Sequence, residues 1–112
     1  MNDWKDGVDL AITVCDAGGK IILMNAKAAA TFAKSGGGEL VGKSLLDCHP
    51  EPSKTKLKGL LASPRLNAYT IEKNGAKKLI YQTPVMENGK LAGIVELSLP
   101  LPSDMPHFIR KP

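Results

Sequence analysis

Cys48 and His49 stand side by side, and a thiol next to an imidazole is a pairing that can generate a nucleophilic thiolate. No third group at a suggestive spacing orients the pair, so a thiol-dependent enzyme is the weaker alternative. His49 alone is a haem or metal ligand type, and it lies just ahead of a lysine-rich stretch with helical periodicity. The competing reading is a loop histidine bonded to backbone, with Pro50 and Pro52 fixing the path into the helix. His107, in a basic tail, adds no acidic or thiolate partner at a recurring ligand spacing, so no metal site is predicted.

Other polar groups point less clearly to chemistry. Gly36-Gly37-Gly38 ahead of Gly42-Lys43-Ser44 raises a phosphate-binding loop, but the stretch is read in preference as a mobile loop with a single helical turn. Asp3, Asp6, Asp9 and Asp16 are spread over a terminus and a turn, while Glu72, Glu87 and Glu96 fall in strands or hairpin ends. No carboxylate pair suited to acid–base catalysis emerges, and the chain is expected not to be an enzyme. Cys15 lies in an apolar run and reads as a core thiol. Without Cys-x-x-Cys spacing the cysteines are expected to be reduced, as in a cytoplasmic protein.

Composition narrows the classes further. The chain of 112 residues, 43% hydrophobic and 23% charged, fits one globular domain with a modest core. Its net charge of +4 comes from scattered lysines, and only 4% of residues are aromatic, which argues against a nucleic-acid surface. No basic segment followed by an apolar one opens the chain, and no apolar run approaches the roughly 20 residues needed to span a bilayer.

The elements that must position these residues follow from periodicity and turn chemistry. Residues 10–15 and 20–24 read as a hairpin joined by Asp16-Ala17-Gly18-Gly19. Asn25 is a good N-cap for an alanine-rich helix whose Ala29, Phe32 and Ala33 share a face, and Ser53 caps a second helix carrying Leu57, Leu60 and Leu61. Strands are predicted at 67–73, 77–86 and 91–99, joined by Asn74-Gly75 and Asn88-Gly89, the strongest hairpin signals in the chain. Pro84 must sit where the neighbouring strand has ended or at a bulge. In the last strand the more apolar face (Leu91, Gly93, Val95, Leu97, Leu99) is assigned to the helices, which leaves Glu96 on the distant face.

This order, and several of its residues, resemble the PAS family. Asp16-x-x-Gly19-Lys20-Ile21-x-x-x-Asn25-x-x-Ala28 is similar to the family's opening hairpin and helix, and residues 39–47 (Glu-Leu-Val-Gly-Lys-Ser-Leu-Leu-Asp) to the segment before its long helix. More narrowly, residues 46–50 followed by Ser53 and Leu57 resemble the Cys-His-Pro segment of PAS domains in bacterial and archaeal hemerythrin-PAS proteins. Met105-Pro106-His107-Phe108 resembles the tail of small stand-alone bacterial PAS proteins. The resemblance implies an α+β fold, a five-stranded antiparallel sheet in order 2-1-5-4-3 with helices on one face, often enclosing a ligand pocket, and dimerisation through the other face or the N-terminal flank.

The expected organisation is an N-terminal flank (residues 1–9), the domain (10–99) and a tail (100–112) that packs on the domain or a partner. Pocket candidates are Ile12, Met24, Phe32, Leu45, His49, Leu57, Leu61, Tyr81 and Val95, and residues 36–52 are expected to yield most readily to a ligand. Interface candidates are Trp4, Glu96, Met105, Phe108 and Ile109, with Glu96 needing a polar partner if buried. The expected function is a stand-alone sensory and interaction module in signal transduction, without its own effector. It would form a homodimer, signal to a partner protein and accept a small ligand, with no nucleic-acid or membrane partner. No cofactor is assigned; the alternative is a haem or redox sensor using His49 or Cys48, whereas a light-sensing flavin segment is not matched.

Overall fold

A computed structural model describes the backbone of residues 1–112 and every side chain except that of Cys48. The predicted hairpin forms as β1 (Ala11–Asp16) and β2 (Ile21–Met24). Asp16 holds its turn by accepting from the Gly18 and Lys20 amides at 3.0 and 2.9 Å. A short helix α1 (Trp4–Gly7) precedes them, and α2 (Ala26–Thr31) follows, capped by Asn25 as its residue type requires. Two 3₁₀ turns, Ala33–Ser35 and Gly37–Leu40, lead to α3 (Leu45–Cys48) and α4 (Ser53–Ala62). Ser53 opens α4 without capping it. Instead, the Glu51 carboxylate accepts the Thr55 amide at 2.8 Å, and those Thr55 hydrogen bonds hold the Glu51 carboxyl below its ordinary value.

β3 (Asn67–Lys73), β4 (Ala76–Glu87) and β5 (Lys90–Leu101) complete one antiparallel sheet in the order β2-β1-β5-β4-β3. Both Asn-Gly turns use positive φ at each residue, 54° and 77° at Asn74-Gly75 and 53° and 76° at Asn88-Gly89, as a type I′ connection demands. β3 begins at Asn67 opposite Gln82, so no strand faces Pro84 on that side to need its missing N–H, and a register shift follows between Val85 and Met86. β5 runs through Pro100 to Leu101, two residues beyond its predicted end.

The face of β5 assigned to the helices from its apolarity is the wrong one, since Ile94, paired with Cys15, lies in the helix-packed core. The register shift fixes which β4 residues share that face. The two-residue turn alone would set Gln82 opposite Val95, but the extra residue in β5 sets it opposite Glu96. Directly paired residues share a face, so Thr13, Glu96, Gln82 and Asn67 lie together, and Ile12, Leu97, Tyr81 and Ala68 lie together on the other side. The helices cover the first of these faces. The core there is Cys15, Leu60 and Ile94, with Leu45 and Leu61 packed against it. The more apolar face of β5, carrying Val95, Leu97 and Leu99, is turned away from the helices.

Candidate ligand cavity and its polar floor

Helix α4 does two things at once. Its second half seats Leu60 on Cys15 and Ile94, while its first half, with His49 ahead of it, stands off the sheet. The gap is a cavity of about 440 Å³, roofed by His49, Pro52, Ser53, Lys56 and Leu57 and floored by Asn67, Tyr69, Gln82 and Glu96. That volume lies within the ordinary range for small-molecule sites, roughly 300–1,000 Å³. Glu96 also lines two smaller hollows deeper under the helices, one beside Met24, Phe32, Leu40 and Leu45, the other beside Phe32, Ile71 and Ile80.

The floor is a hydrogen-bonded ladder across three strands. Asn67 Nδ2 donates to Gln82 Oε1 at 2.7 Å, and Gln82 Nε2 donates to Glu96 Oε1 at 2.9 Å. A carboxylate only accepts, so it fixes the Gln82 amide and, through it, that of Asn67. Gln82 is buried, and this pairing is what makes a polar side chain tolerable there. Tyr69 stands close enough that burial, and then the Glu96 charge, push its phenol above the ordinary value of 10.0. His49 Nδ1 meets the Leu45 carbonyl at 2.8 Å and must carry the proton there, because a carbonyl cannot donate.

The structure distributes the candidate residues unevenly. His49 and Leu57 line the main cavity, and Met24, Phe32 and Leu45 line its deeper neighbour. Leu61 packs in the core. Ile12, Tyr81 and Val95 project from the opposite face, a correction to an assignment made from the apolarity of β5, and Glu96 moves the other way, from supposed interface to cavity floor. Asn67, Tyr69 and Gln82 were not singled out in the sequence. Trp4, Met105, Phe108 and Ile109 are all exposed, so the tail's apolar side chains are not buried on this chain's own domain.

Two chemical readings can be tested on this geometry. Gly37 and Gly42-Lys43-Ser44 do enclose the four residues of a phosphate-loop spacing. Their setting is wrong, however, because a 3₁₀ turn replaces the expected strand. The Gly42 and Lys43 amides are also already spent on Ile21 and Leu40 carbonyls at 2.8 and 2.9 Å. Residues 42–45 are tied to β2 and Gly19 by further backbone bonds, which makes this part of the stretch 36–52 an anchored strap instead of a loose loop. Haem fits poorly: the wall facing His49 is a carboxylate–amide ladder, where a porphyrin face requires apolar contacts, and α4 offers lysines. The Cys48 thiol lies outside the described residues. Among the described residues, no group of three or more His, Cys, Asp or Glu is placed to hold a metal, and no helix is long and apolar enough to cross a membrane.

No family model matches the sequence, and no curated protein matches it. Solved structures do. The PAS domain of Bordetella pertussis BvgS superposes with a TM-score of 0.62 at 22% identity, covering 89% of this chain and 82% of that one. The chain adopts the PAS fold. The Vibrio cholerae Aer2 receptor, described as a dual PAS-haem oxygen sensor, matches at TM-score 0.62 and 18% identity over 86% of this chain and 97% of that one. A C-terminal domain from Streptococcus mutans reaches 0.70 at 19% identity, covering 87% and 79% respectively. Within this PAS fold the cavity lies between α4 and strands β3 to β5, and its polar floor is built from this chain's own Asn67, Gln82 and Glu96.

Proposed function

We propose that this PAS-fold chain is a non-enzymatic sensory module: it takes a small polar molecule into the Glu96 cavity and passes the event to another protein chain through its outer sheet face. One observation carries the reading. A buried glutamine and a carboxylate are held in a fixed ladder at the floor of a ligand-sized cavity, where a purely structural core would be filled with apolar side chains. The sensor description of the Vibrio cholerae neighbour agrees with it.

The outer face supports the partner half of the proposal. Val14, Leu23, Tyr81, Val95, Leu97 and Leu99 share it by register, on the side of the sheet away from the helix-packed Cys15 and Ile94. A second copy of this chain is the proposed occupant, with Met105, Phe108 and Ile109 of the exposed tail available to extend the contact. The narrower likeness to Cys-His-Pro PAS proteins rests on the sequence segments alone.

Native mass spectrometry of gently purified protein tests both halves. The reading expects a dimer that releases a small organic molecule on collisional activation. A monomer that carries nothing, and takes up nothing from a metabolite extract, would overturn it.

A further inference from the structure

Resting on the cavity reading above, we infer that the site selects small organic cations, molecules that present an amidinium, guanidinium or primary ammonium group to Glu96. The ladder fixes the orientation of both amides on the floor. Glu96 Oε1 takes the Gln82 amide N–H, which turns Gln82 Oε1 toward Asn67 and leaves Asn67 Oδ1 facing away from the ladder. Among the described residues, neither Glu96 Oε2 nor Asn67 Oδ1 has a hydrogen-bond partner. On the opposite wall, His49 Nδ1–H donates to the Leu45 carbonyl, which fixes the ring beside the cavity.

Two residues of the cavity floor therefore carry an unpartnered acceptor oxygen, and one of these is a carboxylate. A ligand that bonds these oxygens must supply N–H or O–H donors, and a positive charge makes the bond to Glu96 a charge-assisted pair. The Tyr69 ring on the same floor offers a face that favours a cation over an anion. Lys56 is the cavity's own cation, but it is exposed at the rim, so an anionic ligand would meet it only by leaving its other end against Glu96.

Three probes of nearly one shape isolate the charge: benzamidine, benzamide and benzoate, each titrated into the full chain while side-chain amide signals of Asn67 and Gln82 are followed by NMR. Benzamidine is expected to bind about tenfold more tightly than benzamide, with benzoate weakest. Glu96→Gln, which keeps an oxygen to accept from Gln82, is expected to erase that preference by weakening benzamidine alone. Benzamide or benzoate binding as well as benzamidine, or a preference that survives in Glu96→Gln, would overturn the selectivity while leaving the cavity as a binding site. If none of the three moves the Asn67 and Gln82 signals, the cavity reading fails with it.

Discussion

Asn25 Oδ1 accepts from the Ile12 amide at 2.9 Å, so the residue that caps α2 is also bonded to the first sheet strand. Its Nδ2 donates to the Lys5 and Leu10 carbonyls at 2.7 and 2.9 Å, and the Asp6 carboxylate accepts the Ala26 amide beside it at 2.8 Å. One side chain, 1% exposed, thus joins the N-terminal flank, the sheet and α2.

Asn25→Ala removes the cap and strands buried backbone groups of three segments. It is expected to cost about 2–4 kcal/mol, read as a lowered urea midpoint at unchanged slope. Asn25→Ser, which restores only the cap acceptor, should recover part of that loss. A midpoint unchanged in Asn25→Ala would remove this residue from the account.

Gly93 is fixed by proximity instead of by backbone dihedral. A Cβ there would stand 2.1 Å from the Cys15 carbonyl oxygen, so Gly93→Ala must push β5 from β1 and is expected to cost about 3 kcal/mol or more. Gly75→Ala is the contrast, since nothing lies within 4 Å and only its φ of +77° is strained, for a loss of about 1 kcal/mol. Equal losses in the two variants, by denaturant titration, would contradict the packing.

These residues also mark how much was legible in the chain. The Asn25 cap and both Asn-Gly turns depend on local chemistry, which a sequence states directly, and with them came the strand order implied by the PAS resemblance. The cavity floor was not legible, because the inward face of β5 is its less apolar one and a bulge that no local signal marks sets which β4 residues share that face. With Gln82 turned inward, the extra residue in β5 sets Glu96 opposite it and turns Val95 outward, whereas an unbulged hairpin would have brought Val95 in and left Glu96 out. Hydrophobicity made the error: the more apolar face of β5 was read as core-facing, whereas it is turned away from the helix-packed core.

Cys15 gives the fold an alkaline limit. Burial is the main cause that raises its thiol above the ordinary 9.0, so the folded state holds its proton where the unfolded chain releases it. Its contribution is fully present below pH 9 and is lost as pH rises through the higher folded value. Denaturant midpoints should fall above pH 9 in the natural protein and fall less in Cys15→Ala. Peptide mapping after alkylation should find Cys15 unmodified until the protein is unfolded; ready labelling under native conditions would refute its burial.

Leu97 lies at the middle of the outer face, opposite both Ile12 and Tyr81. Leu97→Lys is expected to convert a dimer to monomer in analytical ultracentrifugation, with folding stability changed by no more than about 1 kcal/mol. A dimer that survives the substitution would move the interface to another surface.

The central claim is that the polar face of the sheet, under α4, is where a ligand sits. Intermolecular nuclear Overhauser contacts from benzamidine bound to the full chain test it most directly. The account predicts contacts from the ring protons to the Leu57 methyls and the Gln82 side-chain amide, and none to Leu97. Contacts to Leu97 or Val95 in their place would contradict it.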